Sequence, residues 1–551
     1  MRHQKERSEN VELTVAGSSV FGRYPKISGE KTYNMFLSDG WLVNFAGYRR
    51  VLELLEEGEG RGAFTSTRGG FILCVISSAV YTISNTLGFV LIGNLETSSG
   101  EVFIDENLNS QICIVDGLHA YIYNYSLAPN ITPQTGGPFT ADLIPNYVKF
   151  HNTYFLIGNK SRSITGSRWY VYEPDTSTTI KLRATLALET KPDFALAVVR
   201  IPGQANNVLV LGKTVSEIHT WTLGQLPYRR NSSVNIDYGC LSVDTIASSD
   251  EYVAWLGVNE SNSPAIMVFT GQGAKRISTD GIDYLLGSLR NPEKSTATFF
   301  RQDGHVFYVL TFYGEEDPFL VDSERIDQER QNFTIMYDFT TDKFFNLSDQ
   351  HLNYHPMRQV VYFEQENYFI SLRNGSLYRL STDLTTINEN LPGQAEDEDP
   401  RYIFDMQRIR ICATFRSPKS TPFTVNSFTF TIEQGDDDFL GRDDCLILMI
   451  TEDGDRIYTE DASGNVQVIP EDGNPDDCIR ELHRGRIDLS MSKNGCMTWS
   501  NTVGIRMRPL GYRQNILRWQ RMGYCNEWTP KIRFWSMGRI VASSGVLEYT
   551  A

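Results

Sequence analysis

Two histidines four residues apart, His351 and His355, are the pair whose type and spacing come nearest to a metal site. Such a pair binds a metal when it lies on one face of a helix, but the following Pro356 favours extended chain before it. Two other histidines, His119 and His305, come just after turn residues, and we expect them to be polar groups of turns or of the core. The sequence therefore predicts no histidine metal site.

Acidic residues offer the next candidates for chemistry. Residues 434–438 and 452–455 are rich in Asp and Gly, but neither segment has the register of an EF-hand loop, and we expect acidic turns. Glycoside hydrolysis needs two carboxylates across a cleft, yet 67 acidic residues supply such pairs anywhere. Phosphate-binding, nucleophile-elbow and dinucleotide motifs are absent from the sequence. We predict no enzyme, with no catalytic, cofactor-binding or metal-binding residue and no cofactor.

Charge restricts the partners. The chain has 51 basic and 67 acidic residues and a net charge of −16, which argues against tight non-specific binding of nucleic acid. Basic residues are concentrated near the end of the chain, where alternation along strands would place several of them on one face: Arg506, Arg508, Arg513, Arg518, Arg521, Lys531 and Arg533. This face is either a docking surface for an acidic partner or a DNA backbone, or an ordinary polar outer face.

Cysteines and hydropathy indicate where the protein is made. The eight cysteines are scattered without zinc spacing, and Cys74 and Cys113 lie in apolar strand patterns typical of small buried residues. The sequence has no apolar run of about 18 residues, so no membrane span is expected. The charged first ten residues do not resemble a signal peptide. We expect synthesis in a cytoplasm.

The elements that must position any site are predicted from a repeated hairpin. Residues 302–312 place the turn pair Asp303-Gly304 before a run of apolar and aromatic residues, as expected for a buried strand. Residues 114–121 repeat this spacing around Asp116-Gly117, and looser versions occur at 151–154, 249–252 and 365–368. The same hairpin thus recurs along the chain.

Repeats every few tens of residues predict an all-β protein with a β-propeller. Four-stranded blades have a period of about 40 to 50 residues, and stacking them radially buries both faces of each sheet. We predict about six or seven blades within residues 62–390, with residues 1–61 closing or bracing the propeller. A short helix capped by Thr279 is expected on a loop. The acidic insertion from Tyr313 to Phe333 is expected to be a contact or gating loop.

A second domain is predicted after an acidic linker at residues 391–400. Alternating strands around residues 427–432, 445–450, 515–519 and 531–535 indicate a C-terminal antiparallel β-sandwich-like domain over residues 401–551. Residues 492–499 form a degenerate Asp-box hairpin of the kind seen in sialidase-type propellers, with Asn494 at the Asp position. Because the turn is held by its own side chains, we expect it to serve the fold rather than a site.

With these motifs in place, the chain resembles the tail nozzle proteins of short-tailed bacteriophages, also called packaged-DNA stabilisation or head-completion proteins. The resemblance is carried by short segments in a characteristic order: 34–35, 47–48, 61–62, 189–193, 211–217, 276–279, 304–310, 375–378, 492–499 and 517–523. Two departures are Ala46, where the family usually has Pro, and the degenerate Asp box.

The resemblance implies a structural virion protein of the phage tail that forms a ring, expected to be a homohexamer, below the portal and adaptor. It would extend the DNA channel, retain the packaged DNA, pass the duplex at ejection, and bind a tail plug or needle and fibres or spikes. The acidic charge suits a channel wall along which a duplex must slide, and we expect the acidic residues to line the channel.

Two other functions stay open at this level. A glycan-binding or glycan-cleaving propeller component of a phage tail would have a cleft with stacked aromatic residues, and cleavage would add a buried carboxylate pair. A generic propeller scaffold that binds peptides would be a monomer without a wide axial hole.

Overall fold

The structure, a computed structural model, describes residues 8–22, 29–54, 58–140, 142–314, 331–390, 402–418, 421–434, 486–507, 514–535 and 539–550. Between residues 449 and 467 it describes only the backbone of four short strands: β39 (Met449–Ile450), β40 (Arg456–Ile457), β41 (Thr459–Glu460) and β42 (Val466–Gln467). The acidic insertion after Tyr313, the linker at 391–400 and the acidic segment at 452–455 lie outside the described residues, as does most of 434–438.

Seven sheets follow one another along the chain, as a propeller requires. The first three are β6 to β9 (Gly60–Ser66, Phe71–Ile76, Ala79–Ile83, Phe89–Asn94), β10 to β13 (Phe103–Glu106, Gln111–Val115, Ala120–Asn124, Thr132–Pro133) and β14 to β17 (Pro145–His151, Tyr154–Asn159, Arg168–Pro174, Ile180–Ala187). The next two are β18 to β21 (Ala197–Arg200, Asn207–Leu211, Ser216–Trp221, Tyr228–Ile236) and β22 to β26 (Gly239–Cys240, Ala247–Ser248, Val253–Val258, Pro264–Phe269, Ala274–Arg276).

Blades six and seven each extend beyond their own strands. Blade six contains β27 to β30 (Ser295–Gln302, His305–Phe312, Phe333–Asp338, Lys343–Leu347), and blade seven contains β31 to β33 (Met357–Phe363, Glu366–Ser371, Ser376–Ser381). Five strands precede the first blade: β1 (Glu9–Leu13), β2 (Lys31–Tyr33), β3 (Met35–Ser38), β4 (Trp41–Asn44) and β5 (Gly47–Glu53). Strand β5 completes blade seven, because it pairs antiparallel with β33 in a register that places Leu52 opposite Leu377.

Closure of the ring follows from the alternation of side chains along each strand. In β7, Leu73 and Val75 pack against blade two, whereas Ile72 and Cys74 pack against blade seven, so both faces of the strand are buried. Seven apolar clusters of this kind lie between neighbouring blades, and the last one joins blade seven to blade one. The predicted β-propeller is confirmed, with seven blades.

The C-terminal part is a sandwich of two antiparallel sheets. The first two strands after blade seven, β34 (Thr386–Asn388) and β35 (Ile403–Asp405), extend the sheet of that blade. The strands that follow belong to the sandwich: β36 (Arg408–Ile411), β37 (Phe415–Arg416), β38 (Phe423–Gln434), β43 (Arg486–Ser492), β44 (Val503–Arg506), β45 (Gln514–Cys525), β46 (Glu527–Trp535) and β47 (Ile540–Thr550). One sheet has the order β3-β4-β47-β38-β45, with β1 beside β47; the other contains β2, β36, β46, β43 and β44. Phe428, Trp519 and Trp528 lie in the core between them.

Strands from the start of the chain belong to this sandwich, although the sequence analysis assigned it to residues 401–551. Strand β2 pairs with β36 of the sandwich and, through Tyr33 and Asn346, with β30 of blade six. The sheet is therefore continuous from blade six into the sandwich. The sequence of a short strand shows the periodicity of that strand, but it does not show which distant strand it pairs with. The domain boundaries themselves stay predictions.

The prediction that the two Asp-Gly turns repeat one hairpin is wrong. Asp303 and Gly304 join the first two strands of blade six, whereas Asp116 and Gly117 join the second and third strands of blade two. Gly304 and Gly117 have φ angles of +84° and +82°, which glycine adopts without strain. Any short antiparallel connection needs such a residue, so the dipeptide marks a hairpin but not its place in a blade.

Two smaller predictions are confirmed. The one α-helix of the described residues, α1 (Asp280–Gly287), begins at Thr279, whose hydroxyl accepts a hydrogen bond from the Ile282 N–H. In the Asp-box hairpin, the Ser492 hydroxyl accepts from the Cys496 N–H and the Asn494 Oδ1 accepts from the Thr498 N–H, each at 3.0 Å. Three short 3-10 helices complete the described elements: Gly137–Thr140, Ile164–Ser167 and Val243–Thr245.

Candidate functional site

The histidines singled out by the sequence lie in three places: His119 in a turn of blade two, His305 in blade six, and His351 and His355 in the loop before blade seven. His305 is buried and bonds Asp338 at 2.9 Å and Ser38 at 3.1 Å, so it is a polar group of the core at the junction with the sandwich. His355 is buried in a loop, where burial lowers its pKa to about 3, and His351 of the same loop is exposed. Among the described residues, no group of three or more His, Cys, Asp or Glu side chains is arranged to hold a metal ion.

The first strands of the blades surround the propeller axis, where they contact one another. Arg358 of blade seven donates to Asp244 of blade five at 2.7 Å, although blade six lies between these blades in the ring. A second ion pair also joins blades two positions apart, because the guanidinium of Arg200 in blade four lies 3.5 Å from the carboxylate of Asp105 in blade two. The ammonium group of Lys149 in blade three lies 3.3 Å from the same carboxylate. Side chains two blades apart therefore touch, so the part of the subunit that the structure describes has no opening along the propeller axis as wide as a DNA duplex.

The electrostatics of the first ion pair reflect its burial. The Arg358 side chain is 2% exposed and that of Asp244 is 13% exposed. Burial raises the pKa of Asp244 to about 6, although the Arg358 guanidinium lowers it. Because a buried pair loses the hydration of both charges, it contributes little to stability and more to fixing one arrangement of the blades. Neither residue could be singled out from the sequence, because the two are 114 positions apart and no local motif marks either of them.

Two segments that carry the resemblance, 189–193 and 211–217, meet in blade four. Glu217 is fully buried, and its Oε1 accepts hydrogen bonds from the N–H groups of Glu189 at 2.9 Å and Thr190 at 2.6 Å. Burial raises the pKa of Glu217, but the hydrogen bonds from His219, Thr190 and Glu189 outweigh it and bring the pKa to about 2. These segments therefore tie the connection between blades three and four to strand β20 of blade four.

We expect Glu217 to make stability depend on pH in the acidic range. Its folded pKa lies below the ordinary value of 4.5, so the ionised carboxylate stabilises the fold above about pH 4.5 and loses this effect as the pH falls towards 2. Glu217→Gln should cost about 2–3 kcal/mol at pH 7 and clearly less at pH 3. Urea unfolding at both pH values measures this. An equal cost at both would contradict the assignment of the effect to ionisation.

The prediction that several basic residues near the end of the chain share one face is confirmed for three of the five that the structure describes. Arg506 of β44 and Lys531 and Arg533 of β46 lie on the outer face of one sheet, where Arg486 stands between Arg506 and Trp535 in the register. Arg518 and Arg521 lie on β45 of the other sheet. Lys531 stacks on the ring of Trp499 at 4.6 Å and Arg533 on that of Trp535 at 5.3 Å. The described basic residues therefore lie on the outer faces of two different sheets, so they do not all form one surface.

Known folds resemble this chain only at low identity. They include the N-terminal domain of Nup159 (11% identity, 64% of this chain and 98% of that one, TM-score 0.37), catalytically inactive virginiamycin B lyase from Staphylococcus aureus with quinupristin (9%, 61% and 99%, 0.39), and the WD40 β-propeller domain of Doa1 (8%, 61% and 97%, 0.36). No curated protein matches the chain. At such scores, these likenesses carry no argument about function.

A family model matches a little over half of the chain. The Phage_stabilise model, described as "Bacteriophage P22 Gp10, beta-propeller", covers residues 29–315, from the strands shared with the sandwich to the end of the second strand of blade six. No helix of the described residues is long and apolar enough to cross a membrane. The chain thus belongs to the Phage_stabilise family of bacteriophage P22 Gp10, and it is a phage structural protein of the head–tail region.

Proposed function

We propose that this protein forms the tail nozzle below the portal and adaptor, where it extends the DNA channel, retains the packaged DNA and passes it at ejection. The observation that most supports this is that two ion pairs near the propeller axis, Arg358–Asp244 and Arg200–Asp105, join blades two positions apart in the ring. Because each subunit is closed along its own axis, a conduit for DNA must run between subunits. A ring of copies provides such a conduit.

The ring is expected to be a homohexamer located in the virion tail after synthesis and assembly in the host cytoplasm. Its other partners would be the portal and adaptor above it and a plug or needle and fibres or spikes around it. The sheet shared by blade six and the sandwich joins the two parts of the subunit through main-chain hydrogen bonds, as suits a wall that bears internal pressure. This role needs no catalytic residue, cofactor or insertion into a membrane.

The charge of −16 leads to a prediction about DNA. A wall along which a duplex slides should not bind phosphates, so we expect no retardation of a duplex by the purified protein in a gel-shift assay at about 0.15 M salt. The matched control is the same assay after charge reversal of exposed acidic residues in blade one, such as Glu96→Lys. Tight binding by the unaltered chain would contradict an acidic channel wall.

Phage particles made without this protein test the function. We expect heads that package DNA but lose it, measured as DNA that becomes sensitive to nuclease, and tails that lack the plug and fibres. Restoring the protein from a plasmid should restore both. Particles that keep their DNA and carry complete tails without this chain would overturn the proposal.

A further inference from the structure

The outer face of the sandwich contains a cleft that the nozzle function does not use. Val425 of β38 opposes Gly523 of β45, whereas Ser427 opposes Gln520, so two residues of β45, Arg521 and Met522, stand opposite the single residue Asn426. The pairing of β38 with β47 shifts at the same place. Bulges of this kind bend a strand and re-aim its side chains. Here they form a depression of about 450 Å³ on the solvent side of three strands.

Arg521 stands at this bulge in an unusual conformation. Its φ angle is +59°, a left-handed value that a long L side chain rarely adopts. The side chain is exposed and forms no hydrogen bond or ion pair with another described residue. Backbone strain of this kind is retained when the surrounding structure fixes it, and it occurs preferentially at ligand sites. The free guanidinium can make a bidentate contact with a carboxylate.

The neighbouring polar groups are already held in place. Arg518 donates to Ser427 at 3.3 Å and to Glu548 at 3.4 Å, and the Ser427 hydroxyl donates to Glu548 at 2.9 Å. Glu548 is thereby compensated by Arg518, which leaves Arg521 as the uncompensated positive charge of the cleft. Asn426 donates to the Thr550 hydroxyl at 2.8 Å, which fixes its amide.

An aromatic ring lies at the rim. Tyr524 is 67% exposed and stands opposite Thr424 in the strand register, on the same outer face as the cleft. An exposed tyrosine offers a flat apolar surface at little conformational cost, beside a hydroxyl that stays in water. The cleft therefore combines a guanidinium, several hydroxyl and amide groups and one ring platform.

We propose that this cleft binds an acidic saccharide, with the sugar carboxylate on Arg521, sugar hydroxyls on the amide and hydroxyl groups around Asn426 and Gln520, and the apolar face of a sugar ring on Tyr524. The inference is independent of the nozzle function. An acidic peptide fits less well, because the lining of the cleft is mostly polar and offers no apolar pocket for peptide side chains, although β45 is the edge strand of its sheet among the described residues.

Titration calorimetry on the full chain with sodium glucuronate tests the proposal. We expect saturable binding, and dissociation constants at least about tenfold higher for glucose, which lacks the carboxylate, and for acetate, which lacks the ring. Arg521→Asn should weaken glucuronate binding at least about tenfold, because asparagine accepts the left-handed conformation but offers no guanidinium. Tyr524→Ala should weaken it to a smaller extent.

Arg162→Asn on an exposed loop of blade three is the matched control and should leave the affinity unchanged. A thermal unfolding curve for each variant shows whether it is folded. Failure of the unaltered chain to bind glucuronate would overturn the proposal, as would equal affinity of the Arg521→Asn variant. Acetate or a glutamate-rich peptide binding as tightly as glucuronate would overturn the saccharide assignment, because the sugar ring would then contribute nothing.

Discussion

Arg410→Met will lower the free energy of unfolding by about 3–5 kcal/mol, because it breaks a buried charged network by removing one partner. The guanidinium is fully buried and donates to the main-chain carbonyls of Val15 at 2.9 Å, Ser18 at 2.8 Å and Thr14 at 3.1 Å. It also forms an ion pair with Glu30 at 2.6 Å. The substitution leaves the buried Val15 and the partly buried Ser18 and Glu30 without their donor.

The location of the network makes the effect large. Arg410 lies on β36, and its acceptors belong to the segment that brings β1 and β2 into the sandwich. Urea unfolding followed by tryptophan fluorescence reports on this region, because Trp519 and Trp528 lie in the sandwich core. Losing the anchor should also expose the first thirty residues to proteases.

Arg416→Met is the matched control, since Arg416 is 60% exposed and pairs with Glu527 on the surface at 2.9 Å. Surface pairs of this kind contribute about 0.2–1 kcal/mol. If Arg410→Met cost no more than this control, the first strands would not depend on the guanidinium, and the role assigned to it would be wrong.

Tyr48→Ala will destabilise the propeller by about 3–5 kcal/mol, the usual cost of deleting a large buried aromatic ring. Tyr48 lies on the closing strand β5 and is 1% exposed. Its ring centroid lies 5.1 Å from that of His355, 5.3 Å from Phe369 and 5.6 Å from Tyr378. The substitution therefore opens a cavity where the last blade is completed by the start of the chain.

Tyr48→Phe should have the opposite result. The Tyr48 hydroxyl is buried without a hydrogen-bond partner among the described residues, and burial raises its pKa well above the ordinary value. Removing this hydroxyl leaves the ring contacts intact, so the protein should be unchanged or more stable by up to about 1 kcal/mol. Urea unfolding compares both variants with Tyr284→Ala, an exposed position on α1 that should change stability by less than about 0.5 kcal/mol.

The two substitutions at Tyr48 separate packing from polarity. A large loss from Tyr48→Phe would show that the hydroxyl has a partner in the folded protein. A small loss from Tyr48→Ala would show that β5 does not close the ring.

Local patterns were sufficient to predict the blades and several of their parts. The apolar strand patterns of β7 and β11 predicted that Cys74 and Cys113 are buried, and both are fully buried. Thr279 predicted the start of α1 because capping depends on residues only three positions away. Aromatic and apolar strands at intervals of a few tens of residues predicted the propeller, because stacking is the way for such sheets to bury both faces.

Non-local features could not be predicted in this way. Nothing near Tyr33 indicates that β2 pairs with Asn346 in blade six, because register is set by partners distant in sequence. Arg358 and Arg410 lie in ordinary strand patterns, and their burial depends on acceptors supplied by remote segments. The cleft at Arg521 also depends on bulges that appear only when β38, β45 and β47 are aligned.

The central claim is that copies of a subunit closed along its own axis surround a channel for DNA. Electron cryomicroscopy of the purified full chain, with the particle mass measured on the same sample, tests it most directly. We expect a closed ring of six subunits around a hole at least about 20 Å wide, enough for a duplex. A monomer, or a ring whose centre is narrower and permanently filled by its own side chains, would contradict the account.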